Sequence, residues 1–176
     1  MKSKAAIGGH PLHPAFVVLP IGSWCLALFG DVMYQFSSDA FWYQFSYYTM
    51  LAGVVSALIA AVFGFVDFFG VKMSESGYRT ARMHMALNLT AVVLYAANLW
   101  LRHDNAAMAG SRWNLAFAME VITLLAVAVS GWLGGELAYR HKVGVVENAD
   151  PEATRIGIDE PVVPQRAPSR ERGLMG

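Results

Sequence analysis

The chain has 176 residues, 56% of them hydrophobic and 15% charged, with a mean hydropathy of +0.40. Soluble domains run at about 45–50% apolar and about 25% charged, so this composition points to a membrane protein. Lysine plus arginine balance aspartate plus glutamate at 13 each, which removes any general electrostatic pull towards nucleic acid.

The chain begins with Lys2 and Lys4, a basic flank, but no small-residue cleavage site closes a short apolar core. The first apolar run is therefore read as a retained span rather than a signal peptide. Just ahead of it stands Gly9-His10-Pro11-Leu12-His13-Pro14. Pro11 biases His10 towards an extended backbone, and Pro14 suits the first turn of a helix, where a missing N–H is no loss. Four runs reach the roughly 20 apolar residues a bilayer crossing needs. They cover residues 15–36, 42–71, 81–101 and 113–139. Cys25 lies in the first run, cannot form an internal disulfide, and is expected as a buried small hydrophobe.

Short connections predict an all-α, integral membrane four-helix bundle with up-down-up-down topology. The N-terminus, the stretch near residues 72–80 and the C-terminus then share one side. That side carries Lys2, Lys4, Lys72, Arg79, Arg82, Arg140 and Lys142, against Arg102 and Arg112 on the other. The positive-inside rule makes it cytoplasmic, with both termini inside. Trp42, Trp100 and Trp113 all fall at the opposite interface, where an aromatic belt is expected. From Glu147 onward, Pro151, Pro161, Pro164 and Pro168 alternate with both charge signs and no apolar period survives. The domains expected are a four-span membrane unit, 1–146, and a disordered cytoplasmic tail, 147–176.

Polar residues in a bilayer face the bundle interior. Span three places His84, Asn88, Ala91, Tyr95 and Asn98 on one helix face. Span four does the same with Glu120, Thr123, Val127, Ser130, Gly134, Leu137 and His141. Span two offers Thr49, Gly53, Ser56, Ala60, Phe63 and Asp67, and span one His13, Phe16, Pro20, Ser23, Ala27, Gly30 and Tyr34. Most of the small and hydroxylic members are packing contacts. With antiparallel spans, His10, His13, His84 and His141 converge on the cytoplasmic end, with Asp67 and Glu136 within a turn or two. Asp67 is expected to hydrogen-bond one of the imidazoles. His103, beside Asp104 in the opposite loop, is expected to be solvated. At that outer end, Asp31 or Glu120 should pair with Arg102, a structural role set against a quinol or proton site. A faint internal repeat, with His13 opening span one and His84 span three while Asp67 and His141 close spans two and four, is too thin to carry an argument.

These residues resemble a bacterial membrane family, the "domain of unknown function 2231", over about residues 8–146. The resemblance rests on the paired His-Pro motif at residues 9–14, the Pro20-Ile21-Gly22 step, Asp67, the Arg82–His84 region and Gly134-Gly135-Glu136-Leu137-Ala138-Tyr139-Arg140-His141. It implies four spans in a bacterial inner membrane and hints at electron transfer through redox modules beside some relatives.

The leading functional reading is a b-type haem electron-transfer subunit, since haem in helical bundles takes imidazoles from facing helices. His84 and His141 form the expected axial pair, with His13 as a replacement, and Arg79, Arg82 and Arg140 suit the propionates. Covalent attachment is excluded because no Cys-x-x-Cys-His occurs. The outer half lacks a histidine pair, so transfer across the membrane needs a quinone or a redox partner. The alternative is a zinc, copper or iron ion on His10, His13, His84 and His141, supported by Asp67 or Glu136. A third reading is a structural subunit without cofactor, and a homo-oligomer fits any of the three. No nucleophile–base set or phosphate loop points to a stand-alone enzyme.

Overall fold

Pro20 shapes the start of the first span. Its ring removes one helical hydrogen bond and crowds the carbonyl of Phe16, four residues earlier. In the computed structural model the helix breaks there, into α1 (Leu12–Phe16) and α2 (Val18–Ser37), joined at Val17. The residues described are 1–103 and 110–145, without the side chains of 110 and 111, so Asp104 and the tail expected over 147–176 lie outside them. Ahead of α1, β1 (Ala6–Ile7) and β2 (His10–Pro11) form a two-stranded antiparallel hairpin in which Ile7 faces His10. Its turn is Gly8-Gly9 with φ of +55° and +78°, a left-handed pair that side chains rarely adopt.

Three long helices follow: α3 (Ala40–Gly70), α4 (Glu75–Arg102) and α5 (Gly110–Tyr139). Asp39 caps α3 by accepting from the Phe41 amide at 2.9 Å, and Ser74 caps α4 by accepting from Gly77 at 3.2 Å. The Ser74 cap lets α4 start six residues before its apolar run does, so its first turns are polar. Each of the four spans is long and apolar enough to cross a membrane. The protein is an all-α, integral membrane four-helix bundle, as its sequence predicts.

Packing is densest within two antiparallel hairpins, α2 on α3 and α4 on α5. Contacts of α3 with α4 and of α2 with α5 close the ring, leaving α2 and α4 diagonal across the centre. Trp24 of α2 stacks on Tyr95 of α4 there, with ring centroids 4.3 Å apart, and both are buried. Gly53 of α3 makes room for the indole. Large apolar side chains such as Leu58, Ile122, Leu125 and Trp132 point outward, where lipid meets them.

Two expectations change. Cys25 is exposed rather than buried, so it is a small hydrophobe on the lipid-facing side of α2. Trp113 is buried and turned inward against Tyr34, unlike Trp100, which stays exposed as an interface residue should. The indole N–H of Trp113 reaches Gln35 at 2.7 Å, satisfying the one polar atom that would otherwise favour the interface.

Candidate functional site

The polar stripes turn inward and build two centres, one at the end bearing the N-terminus (the near end) and one at the far end. At the near end His13 of α1 and His84 of α4 face each other with perpendicular rings, centroids 6.1 Å apart. Each ring is oriented by a backbone carbonyl of the neighbouring helix. His13 Nδ1 donates to the Ala60 carbonyl of α3 at 2.9 Å, and His84 Nδ1 donates to the Ser130 carbonyl of α5 at 2.8 Å. Those bonds fix both rings as Nδ1–H tautomers and leave Nε2 as the basic nitrogen. Asn88 Nδ2 donates to His84 Nε2 at 3.0 Å.

Glycine supplies the space. A Cβ on Gly64 would stand 3.1 Å from the His13 ring, and one on Gly134 3.2 Å from the His84 ring. The two half-sites share their parts: a histidine near the same end of one helix, a carbonyl on the next (Ala60 or Ser130), and a glycine one turn further along (Gly64 or Gly134). The interval repeats as well. His13 and His84, Trp24 and Tyr95, and Asp31 and Arg102 are each 71 residues apart and each meet across the bundle. Each of these pairs joins α1 or α2 to α4, whereas Asp67 and His141, the other pair of the repeat, have unlike partners.

The other residues expected at this end have different partners. Asp67 accepts from Ser3 Oγ at 2.8 Å, from the Lys4 amide at 2.7 Å and from the Ala5 amide at 3.0 Å. It therefore anchors the N-terminal segment and holds no imidazole, a correction to its expected role. His10 is exposed, with Nδ1 on the Gly8 carbonyl at 3.0 Å. His141 sits against Gly77 in the first turn of α4, about 10 Å of helix rise from His84. The ring facing His84 thus belongs to His13, not to His141. Glu136 pairs with Arg140 at 3.0 Å. Among the described residues no three of His, Cys, Asp and Glu come together as metal ligands, so the six-residue set His10, His13, His84, His141, Asp67 and Glu136 is dispersed. Arg79, Arg82 and Arg140 are exposed on the same end.

The far-end centre is an ion cluster. Arg102 is fully buried and pairs with both Asp31 and Glu120, each also fully buried. Both carboxylates weighed as partners of Arg102 are used together. Asn98 Oδ1 accepts from Arg102 Nε at 2.7 Å, and Ser46 Oγ from Nη1 at 3.2 Å. The rings of Tyr43 and Trp113 flank the guanidinium at 5.8 and 5.4 Å. His103 is exposed, as expected, with Nδ1 on the Trp100 carbonyl.

Sequence reasoning passed over Gly64, Ser46, Trp24 and Tyr43. Gly64 and Ser46 had a signal: Gly64 stands 70 residues before Gly134, and Ser46 extends the α3 stripe one step beyond Thr49. Trp24 and Tyr43 had none, because an aromatic residue in an apolar span reads the same whether it faces lipid or core.

The model of one family, described as a predicted membrane protein (DUF2231), matches residues 9–147, and the chain belongs to that family. No curated protein and no solved structure matches the chain.

Proposed function

We propose that this membrane protein binds a b-type haem between His13 and His84 and carries electrons with it. The supporting observation is the geometry of the histidine pair. Two metal–imidazole bonds of about 2 Å each, plus the reach to each ring centre, put bis-imidazole centroids roughly 6 Å apart. The rings here are 6.1 Å apart. A two-imidazole donor set suits haem, whose macrocycle supplies the remaining iron bonds, better than a free zinc or copper ion that asks four ligands of the protein.

The residues have distinct tasks. The Ala60 and Ser130 carbonyls hold the rings by Nδ1–H, fixing which nitrogen is presented and raising its basicity. Asn88 holds His84 Nε2 until a ligand takes its place. Gly64 and Gly134 keep the flanks of the rings clear of side chains. Exposed Arg79 and Arg82 offer guanidinium groups for carboxylates at the membrane surface. A bound haem supplies reversible one-electron chemistry. The near end is cytoplasmic in this reading, in a bacterial inner membrane, and a quinone or protein partner completes transfer.

Purified in mild detergent after expression with haem supplied, the protein should show a Soret band that shifts on dithionite reduction. His13→Ala and His84→Ala should each remove it, while His141→Ala and His10→Ala should retain it. A colourless wild-type protein, or a spectrum that survives the loss of both His13 and His84, overturns the proposal.

A further inference from the structure

We propose that Asp31 and Glu120 share one exchangeable proton, which makes the far-end cluster a proton-binding site within the membrane span. The proposal comes from counting donors. A guanidinium has five N–H groups, and here all five are directed: Nε to Asn98, Nη1 to Asp31 and Ser46, Nη2 to Asp31 and Glu120. Asp31 receives a bidentate pair. Glu120 receives one long contact of 3.4 Å on Oε2, and its Oε1 is buried with no partner.

Charge counting agrees. One guanidinium faces two carboxyl groups, and with both ionised the bundle would hold a net negative charge where hydrocarbon surrounds it, an expensive state. The carboxyl groups of Asp31 and Glu120 meet at the same Arg102 nitrogen, Nη2, which is directed at both. A proton between them neutralises the set and gives Glu120 a donor for Asp31, as in other carboxyl pairs that hold one proton. The Tyr95 hydroxyl is a further buried polar atom without a hydrogen-bond partner. Among the described residues, the groups around the pair are Tyr43 and Ser46 on α3, Tyr95, Asn98 and Arg102 on α4, and Trp113 on α5. None of these described groups is a second cation.

Access is from the far end. A cavity of about 310 Å³ lies there, lined by Tyr43, Gln44, Tyr47, Tyr48, Arg102 and His103. Its Arg102 wall is backbone, because that side chain is fully buried. The Tyr43 hydroxyl donates to the Arg102 carbonyl at 3.2 Å, between cavity and cluster.

The test is infrared spectroscopy of the full chain in detergent, and it reads nothing from the histidine pair. The wild type should show a protonated carboxylic C=O band that shifts in D₂O. Glu120→Gln should lose the band yet keep its melting temperature, since glutamine has the shape and donor of a protonated glutamate. Asp31→Asn should also lose it, because Glu120 then ionises to pair with Arg102. A wild type without the band overturns the proposal whatever the variants do. So does a band that ignores D₂O, which marks a trapped proton, or one that persists in Asp31→Asn, which marks a proton Asp31 does not share.

Discussion

Gly53 shows how one atom decides a sign. Glycine inside a helix is worth about 1 kcal/mol less than alanine, so Gly→Ala substitutions in helices tend to stabilise. At Gly53, however, the new methyl would overlap the Trp24 indole, which is 3% exposed and stacked on Tyr95. Overpacking of that kind costs about 1–3 kcal/mol, more than the helix gains. Gly53→Ala should therefore lower the melting temperature in detergent. Gly131 is the control, since a Cβ there meets nothing within 4 Å. Gly131→Ala should raise the melting temperature, and equal effects at the two sites would show that Trp24 yields freely.

Among the elements, α3 is the one the near end is built upon. Its Ala60 carbonyl orients His13 while its Asp67 carboxylate collects Ser3 and two backbone amides. The β1–β2 hairpin and α1 are thus tied to α3 at two levels, two turns apart. Hydrogen bonds to a charged group contribute about 1.5–3 kcal/mol each when protected from water. Asp67→Ala should leave the four spans folded but release the segment ahead of α1. Hydrogen exchange at residues 3–11 should rise by at least an order of magnitude while α2–α5 stay protected. Unchanged exchange there would mean that the contact of Met1 with the Lys142 and Val145 carbonyls holds the segment by itself.

For the whole molecule, the arrangement is two hairpins packed so that equivalent residues of their first helices meet. This gives each end of the bundle its own chemistry. A repeat of the same residue, His13 with His84, makes a like pair, whereas Asp31 with Arg102 makes a complementary one. Orientation follows from surface charge. The near end carries Lys2, Lys4, Lys72, Arg79, Arg82, Arg140 and Lys142, while the far-end Arg102 is buried and unable to face lipid headgroups. Its withdrawal sharpens the asymmetry on which the positive-inside rule acts. A reporter inserted near Ala107 should read as extracytoplasmic and one ahead of Lys2 as cytoplasmic. The opposite pattern would place the histidine pair at the outer surface.

The sequence by itself determined the class, the four spans, their antiparallel order and which faces turn inward. All of these follow from local apolar run length and helical period, which the bilayer enforces residue by residue. It also determined that Arg102 needed an acid, because an unpaired guanidinium inside a membrane is too costly to leave open. The partner of His84 was a tertiary matter. His13 and His141 reach the same end of the bundle and differ only in depth and rotation, and those depend on how one hairpin packs against the other. Pro20 breaks the first span so that α1 brings His13 level with His84, whereas His141 lies beyond the end of α5, beside the first turn of α4. Asp67 likewise looked like a brace for an imidazole, and only the fold showed backbone amides of the N-terminal segment arriving first. Which groups fill a carboxylate's lone pairs depends on chain segments more than 60 residues away, and no local pattern records that.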